Sequence, residues 1–240
     1  TAIKVLKELT DPTAIQKFVE EAQLLAQLSQ GTIVELLALE SMEISLRGKR
    51  NPRTGVVTAP KKTKLYFMVM EYVNGPSYEE VLRAHAENVL LMHPAMVGFV
   101  LNKAVIALAE AHELTDEHGR RLNLVHRDLT PSNILFNAKA GITKLADFGV
   151  AKAFGGDEEQ DIVGKPRYMA PEQLDGNACP ASDIWSLGVT GYESLTGFPP
   201  FRSYGKMFRD KVLNLRRQYA YPLRAPKEIL SWNATRYELD

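Results

Sequence analysis

The feature that most constrains the fold is a change of period at Asn74-Gly75-Pro76. Upstream, short apolar runs read as strands; downstream, apolar residues recur every three or four positions, as on helices. The predicted fold class is therefore α+β, with a strand-rich part over 1–73 and a helix-rich part over 74–240.

Within the first part, Ala2 to Leu6 reads as a short strand. Thr10-Asp11-Pro12 then starts a helix, with Asp11 as N-cap and Pro12 at the first helical position. Ile15, Phe18, Ala22 and Leu25 give that helix one apolar stripe, and Gly31 ends it. Strands are predicted near 33–40 and 64–71. Glu43 to Lys64 carries seven basic residues against one acid and reads as an exposed hairpin or loop. In the second part, helices are predicted over 77–86, 94–114 and 181–195 and near 206–217. Between the second and third lies Val125 to Glu172, dense in Asp, Asn, Gly and Pro, where long helices cannot form. A long irregular stretch inside a compact domain is more often functional than idle.

Composition narrows the function classes. Basic and acidic residues number 29 each, so no global field draws the chain to nucleic acid or to an anionic membrane. The most apolar stretch, Val97 to Ala111, is interrupted by Asn102, Lys103 and Glu110 and reads as a soluble helix without membrane contact. The single cysteine, Cys179, cannot form an internal disulfide and reads as a small buried hydrophobe, consistent with a reducing compartment and a cytoplasmic location. His112 and His118 have no third ligand nearby to build a metal site. Oligomeric state leaves no signal.

The irregular stretch holds the chemistry. His126-Arg127-Asp128-Leu129-Thr130-Pro131-Ser132-Asn133 places a carboxylate and an amide five residues apart on one loop. Fourteen residues on, Asp147-Phe148-Gly149 adds a second carboxylate after the strand-like 142–146. Together they can supply a proton acceptor and two hard oxygen ligands for Mg²⁺. Ala170-Pro171-Glu172 follows, and Ala2-Ile3-Lys4 stands far upstream.

With Met70-Glu71-Tyr72-Val73 in the position of a hinge and Asp183-Ile184-Trp185-Ser186-Leu187-Gly188 downstream, the chain resembles the eukaryotic-like (Hanks-type) protein kinases, particularly the bacterial serine/threonine kinases. The resemblance implies a two-lobed fold with ATP in the cleft between the lobes, and phosphoryl transfer from MgATP to serine or threonine hydroxyls of protein substrates. Lys4 would hold the α- and β-phosphates and pair with Glu21. Glu21 is preferred to Glu20 because it lies three after Phe18 and four before Leu25, on the buried edge of the helix. Ala2 and Leu135 would sandwich the adenine, Met70 would border it, and the backbones of Glu71 and Val73 would pair with its edge. Asp128 would be the base, while Asn133 and Asp147 hold Mg²⁺. His126 reads as core, packed with Leu25 and Phe148.

Three departures from the family pattern stand out. Where most relatives carry Lys two positions after the catalytic Asp, this chain has Thr130; where they carry Thr before Ala-Pro-Glu, it has Lys165. The expectation is a reciprocal swap, with Lys165 supplying the cation that position 130 lacks. From 150 to 164 there is no Ser, Thr or Tyr, so Asp161 is expected to pair with Arg127 in place of an activating phosphate. The Gly-rich strands expected before Lys4 and the last helices after Tyr219 are not recognisable, which reads as an incomplete N-lobe and C-lobe. The rival reading from these departures is a pseudokinase or ATP-binding scaffold; a small-molecule phosphotransferase is the third.

Overall fold

A computed structural model describes residues 1–6, 11–28, 31–46, 61–122, 124–137, 139–148, 165–201 and 215. The chain divides into two compact units, Thr1–Ser29 with Val34–Tyr72, and Gln30–Ile33 with Val73–Asp240.

The first unit is a three-stranded antiparallel sheet with one helix. Strands β1 (Ala2–Val5), β2 (Leu36–Leu46) and β3 (Lys61–Met70) lie in the order β1-β3-β2. Along β1 the period of two turns Ala2 and Lys4 to one face, leaving Ile3 and Val5 exposed on the other. Helix α1 (Pro12–Leu25) begins as the sequence dictates: the Asp11 carboxylate accepts from the Thr13 N–H at 2.9 Å, and Pro12 opens the first turn. Its buried face is Phe18, Glu21, Ala22, Leu24 and Leu25.

Two strand boundaries differ from the sequence reading. The second strand starts at Leu36, because Ile33 forms an isolated parallel bridge with Leu145 and a register shift lies between Leu36 and Ala38. It then runs on to Leu46, and β3 starts at Lys61, so the two ends of the basic stretch pair antiparallel, the hairpin of the two readings open for it. Charged and hydroxyl side chains on a solvated two-stranded ribbon hide its period.

The second unit is mainly helical, with helices α2 (Tyr78–Glu87), α3 (Pro94–Glu113), α4 (Pro171–Leu174) and α5 (Pro180–Thr196). A hairpin of β4 (Ile134–Asn137) and β5 (Ile142–Leu145) completes it. Ser77 caps α2 through a reciprocal capping box with Glu80. Gly197 closes α5 in the left-handed region, φ 74°. Tyr168, Met169, Leu174, Val189, Phe201 and Leu215 form a buried cluster, with Trp185 packed against it. Each such large side chain contributes about 1.5–3 kcal/mol by leaving water.

Helix α3, read from sequence as too interrupted to span a bilayer, is in fact long and apolar enough to do so by length and composition. Its face of Val97, Val100, Ala104, Ala107, Leu108 and Ala111 is buried, and it packs on α5 and β5. Cys179 is another correction: it is only partly buried, and it stands at the N-cap of α5, its N–H donating to Ser182 Oγ at 3.1 Å.

Candidate active site

In the first unit, Lys4 and Glu21 meet: the ammonium donates to Glu21 Oε1 at 2.6 Å. The helical spacing decides which glutamate does this. Glu21 is on the buried face of α1, while Glu20 accepts from Gln16 Nε2 one turn earlier. Ala2 and Met70 are cross-strand partners. The Glu71 N–H donates to Glu35 O at 2.9 Å.

In the second unit, a 3₁₀ turn at Pro131–Asn133 feeds directly into β4. The β4–β5 pairing puts Ile134 opposite Leu145, and the Ala146 N–H donates to Asn133 O at 2.8 Å. That one bond brings Asn133 beside the residue preceding Asp147. The Asn133 amide donates to Asp128 O at 2.8 Å and to its Oδ2 at 3.3 Å. The other carboxylate oxygen, Oδ1, accepts from the Lys165 N–H at 3.1 Å. Asp128 is thereby fixed at both oxygens. Leu135 is half-buried in β4 and bridges to Ser77; the Val73 carbonyl accepts from the Gly75 N–H.

The Lys165 side chain turns away from that bond. Its ammonium donates to Ser132 Oγ at 3.0 Å and lies 3.4 Å from Glu79 Oε1. The buried Thr130 hydroxyl is 2.9 Å from the same Ser132 Oγ. Lys165 and Thr130 are thus one hydroxyl apart.

His126 is core. Its Nε2–H donates to Ala146 O at 3.0 Å and its Nδ1 accepts from the Asp128 N–H at 3.3 Å, the pattern of a neutral ring. Burial pushes its pKa below the ordinary value, against the opposing pull of Asp183. Phe148 packs on the imidazole with ring centroids 4.6 Å apart.

Asp183, to which the sequence assigns no role, anchors the catalytic loop. Its carboxylate, almost fully buried, accepts from the N–H of His126 at 2.8 Å, the N–H of Arg127 at 3.0 Å and His112 Nε2 at 2.8 Å. Gln173 Nε2 donates to Arg127 O at 2.5 Å. These bonds hold Arg127 in the left-handed region, φ 66°, and Asp147 shares that conformation at 48°. Each such residue costs about 1–3 kcal/mol and persists only where its surroundings impose it. Burial lowers the Arg127 pKa while Asp183 opposes the shift. The available signal for Asp183 was a charged residue on a helical face of small and apolar residues, with Ser186, Leu187, Thr190 and Gly191 at the following three- and four-residue spacings. Asp161, expected to pair with Arg127, and Gly149 lie outside the described residues.

Beside the catalytic loop is a cavity of about 490 Å³ between α2, the turn after it, Pro131, the 166–168 turn and the end of α5. At its wall the Tyr168 hydroxyl donates to Glu193 Oε2 at 2.6 Å and accepts from Arg167 Nη2 at 2.8 Å. Burial and the Glu193 charge both raise the Tyr168 pKa, so it stays a donor.

A sheet unit with a Lys–Glu pair, and a helical unit with an Asp-Asn loop tied to a second Asp, define a kinase-like α+β fold. The protein kinase domain model matches residues 1–235, and the chain belongs to that family. Its members use ATP and Mg²⁺. Among its relatives is the tyrosine-protein kinase MasK of Myxococcus xanthus, 34% identical over 203 residues, 82% of this chain and 28% of that protein. The serine/threonine-protein kinase PknA of Mycobacterium tuberculosis is 32% identical over 218 residues, 86% and 43% respectively. The same organism's PknL, also named a serine/threonine-protein kinase, is 41% identical over 139 residues, 56% and 32%. The chain thus spans less than half the length of these curated relatives.

Proposed function

We propose that this chain transfers the γ-phosphoryl group of ATP to serine or threonine hydroxyls of proteins. The observation that carries the reading is Asp128, whose carboxylate is fixed at one oxygen by the Lys165 N–H and at the other by Asn133. A base oriented in this way accepts the proton of the attacking hydroxyl as the new oxygen–phosphorus bond forms, the bond to the β-phosphate oxygen breaks and ADP leaves.

Lys4, oriented by Glu21, serves to bind the α- and β-phosphates; Ala2, Met70, Glu71, Val73 and Leu135 serve the adenine. Asn133 and Asp147 would hold Mg²⁺. The donor set fits that ion: the Asn133 NH₂ is engaged by Asp128, its carbonyl oxygen accepts only a 3.3 Å bond from the Ser132 hydroxyl and has a second lone pair to offer, and Asp147 adds an exposed carboxylate. Two hard oxygens leave the remaining positions to water and phosphate, as Mg²⁺ requires. When bound, the ion neutralises phosphate charge. Lys165 supplies the cation missing at Thr130, approaching from across Ser132.

The names of PknA and PknL support serine and threonine as acceptors; that of MasK sets tyrosine as the competitor. On this reading the chain works in the cytoplasm, by itself or as the cytoplasmic domain of a longer, anchored protein. Phosphoamino-acid analysis of a general protein substrate labelled by the full chain from γ-labelled ATP decides it. Label on serine and threonine is expected, whereas label on tyrosine alone, or none, overturns the reading.

A further inference from the structure

The Lys165 ammonium is held from two sides. It donates to Ser132 Oγ at 3.0 Å and to Glu79 Oε1 at 3.4 Å, and its third N–H has no acceptor among the described residues. Ser132 stands on the Pro131–Asn133 turn and Glu79 in the first turn of α2, so the lysine reaches two separate elements. Those elements are fixed against each other. Helix α2 packs on the Pro131–Asn133 turn, and Glu80, beside Glu79, closes the capping box on Ser77.

Stability does not explain the ion pair. The Lys165 side chain is 41% exposed and that of Glu79 35%, and a pair so placed adds little to folding. What it changes is the freedom of the ammonium. A lysine stem is long and flexible, and its compact charge takes no fixed place unless an acceptor gives it one. The Lys165 backbone is already tied by its N–H to Asp128 Oδ1, which leaves the stem to be fixed. Ser132 is the weaker holder: its neutral hydroxyl is also engaged with Thr130 Oγ1 at 2.9 Å and Asn133 Oδ1 at 3.3 Å, and a carboxylate binds an ammonium more strongly than a hydroxyl does. The other unit has the same device, with the Lys4 ammonium held by the Glu21 carboxylate.

We infer that Glu79 is a positioning residue for phosphoryl transfer: it holds the Lys165 ammonium at Ser132, with one N–H left for an oxygen of the transferring phosphoryl group. Glu79 acts through Lys165 and not on the reacting atoms. The inference rests on the protein-kinase reading and on Lys165 as its cation, and adds the residue that orients that cation.

The test is a double-mutant cycle on the full chain, with ATP and a general protein substrate: Glu79→Ala and Glu79→Gln, each made in the wild type and in Lys165→Thr. Expected is a fall in kcat of about tenfold for Glu79→Ala with KM for ATP unchanged, the scale of a displaced catalytic group. Glu79→Gln, whose amide oxygen still accepts from the ammonium, recovers part of the loss. In the Lys165→Thr background Glu79→Ala changes kcat by less than about twofold, because the group it positions is gone. An equal loss in both backgrounds assigns Glu79 a structural role and overturns the inference, as does a wild-type or raised kcat in Glu79→Ala; either result leaves the kinase reading intact. Wild-type kcat in Lys165→Thr overturns the role of Lys165 and this inference with it. A wild-type chain that phosphorylates nothing overturns the kinase reading and the inference together.

Discussion

Lys165 holds Asp128 through its backbone and not through its charge: the N–H donates to Asp128 Oδ1 at 3.1 Å, while the ammonium sits 3.0 Å from Ser132 Oγ. The two functions of this residue are therefore separable by substitution, since the backbone bond survives any side chain except proline.

Lys165→Thr removes the cation and keeps the N–H, so kcat should fall about 10²-fold, the scale of losing one charge-stabilising donor in a transition state. Adding Thr130→Lys should partly restore it. Steady-state rates of the single and double variants check this, and a single variant with wild-type kcat excludes any role for the Lys165 charge.

Asp183→Asn leaves one carboxylate-like oxygen where two served three donors, so at least one buried N–H loses its partner. That costs about 1–3 kcal/mol. For a domain of this size the melting temperature should drop by roughly 2–4 °C for each kcal/mol. Thermal unfolding measures it, and an unchanged midpoint means the three bonds contribute nothing net.

Gly75 is required by space. A Cβ there would lie 2.0 Å from the Phe136 carbonyl oxygen, a backbone atom that cannot rotate away. Gly75→Ala should destabilise by about 1–3 kcal/mol or more, as in other overpacked sites. Denaturant unfolding with an unaltered midpoint would show that the turn yields instead.

His126 gives stability a pH dependence of defined sign. Its folded pKa lies below the ordinary 6.5, so beneath pH 6.5 the unfolded chain takes up a proton that the folded chain refuses. Stability should therefore decline as pH falls from 6.5 toward the depressed folded value, and be insensitive to this group above 6.5. His126→Phe should flatten that slope in unfolding curves recorded between about pH 5 and 7. An unchanged slope assigns it to other groups.

Much of this was legible in the sequence wherever one rule acted alone. The Asp11-Pro12 start and the spacing that selects Glu21 are local, and each stands where periodicity and capping chemistry put it; the helix expected from 77 starts one residue later, with Ser77 as its cap. The β2 limits were not legible, because Ile33 pairs with Leu145, more than a hundred residues away. Ser132 and Glu79 were equally hidden: an ordinary loop hydroxyl and helix carboxylate meet the Lys165 ammonium only through the packing of α2 on the Pro131–Asn133 turn. His112, set aside as a metal ligand from sequence, is a partner of Asp183, a contact that spacing alone does not reveal.

The central claim is that Asp128 is the base for phosphoryl transfer. The direct measurement is ATP-dependent phosphorylation of a general protein substrate by the full chain and by Asp128→Asn, a change that keeps the shape and removes the proton acceptor. The account predicts a fall in kcat of about 10²–10⁴-fold with folding intact by circular dichroism. Equal rates from the two proteins would contradict it.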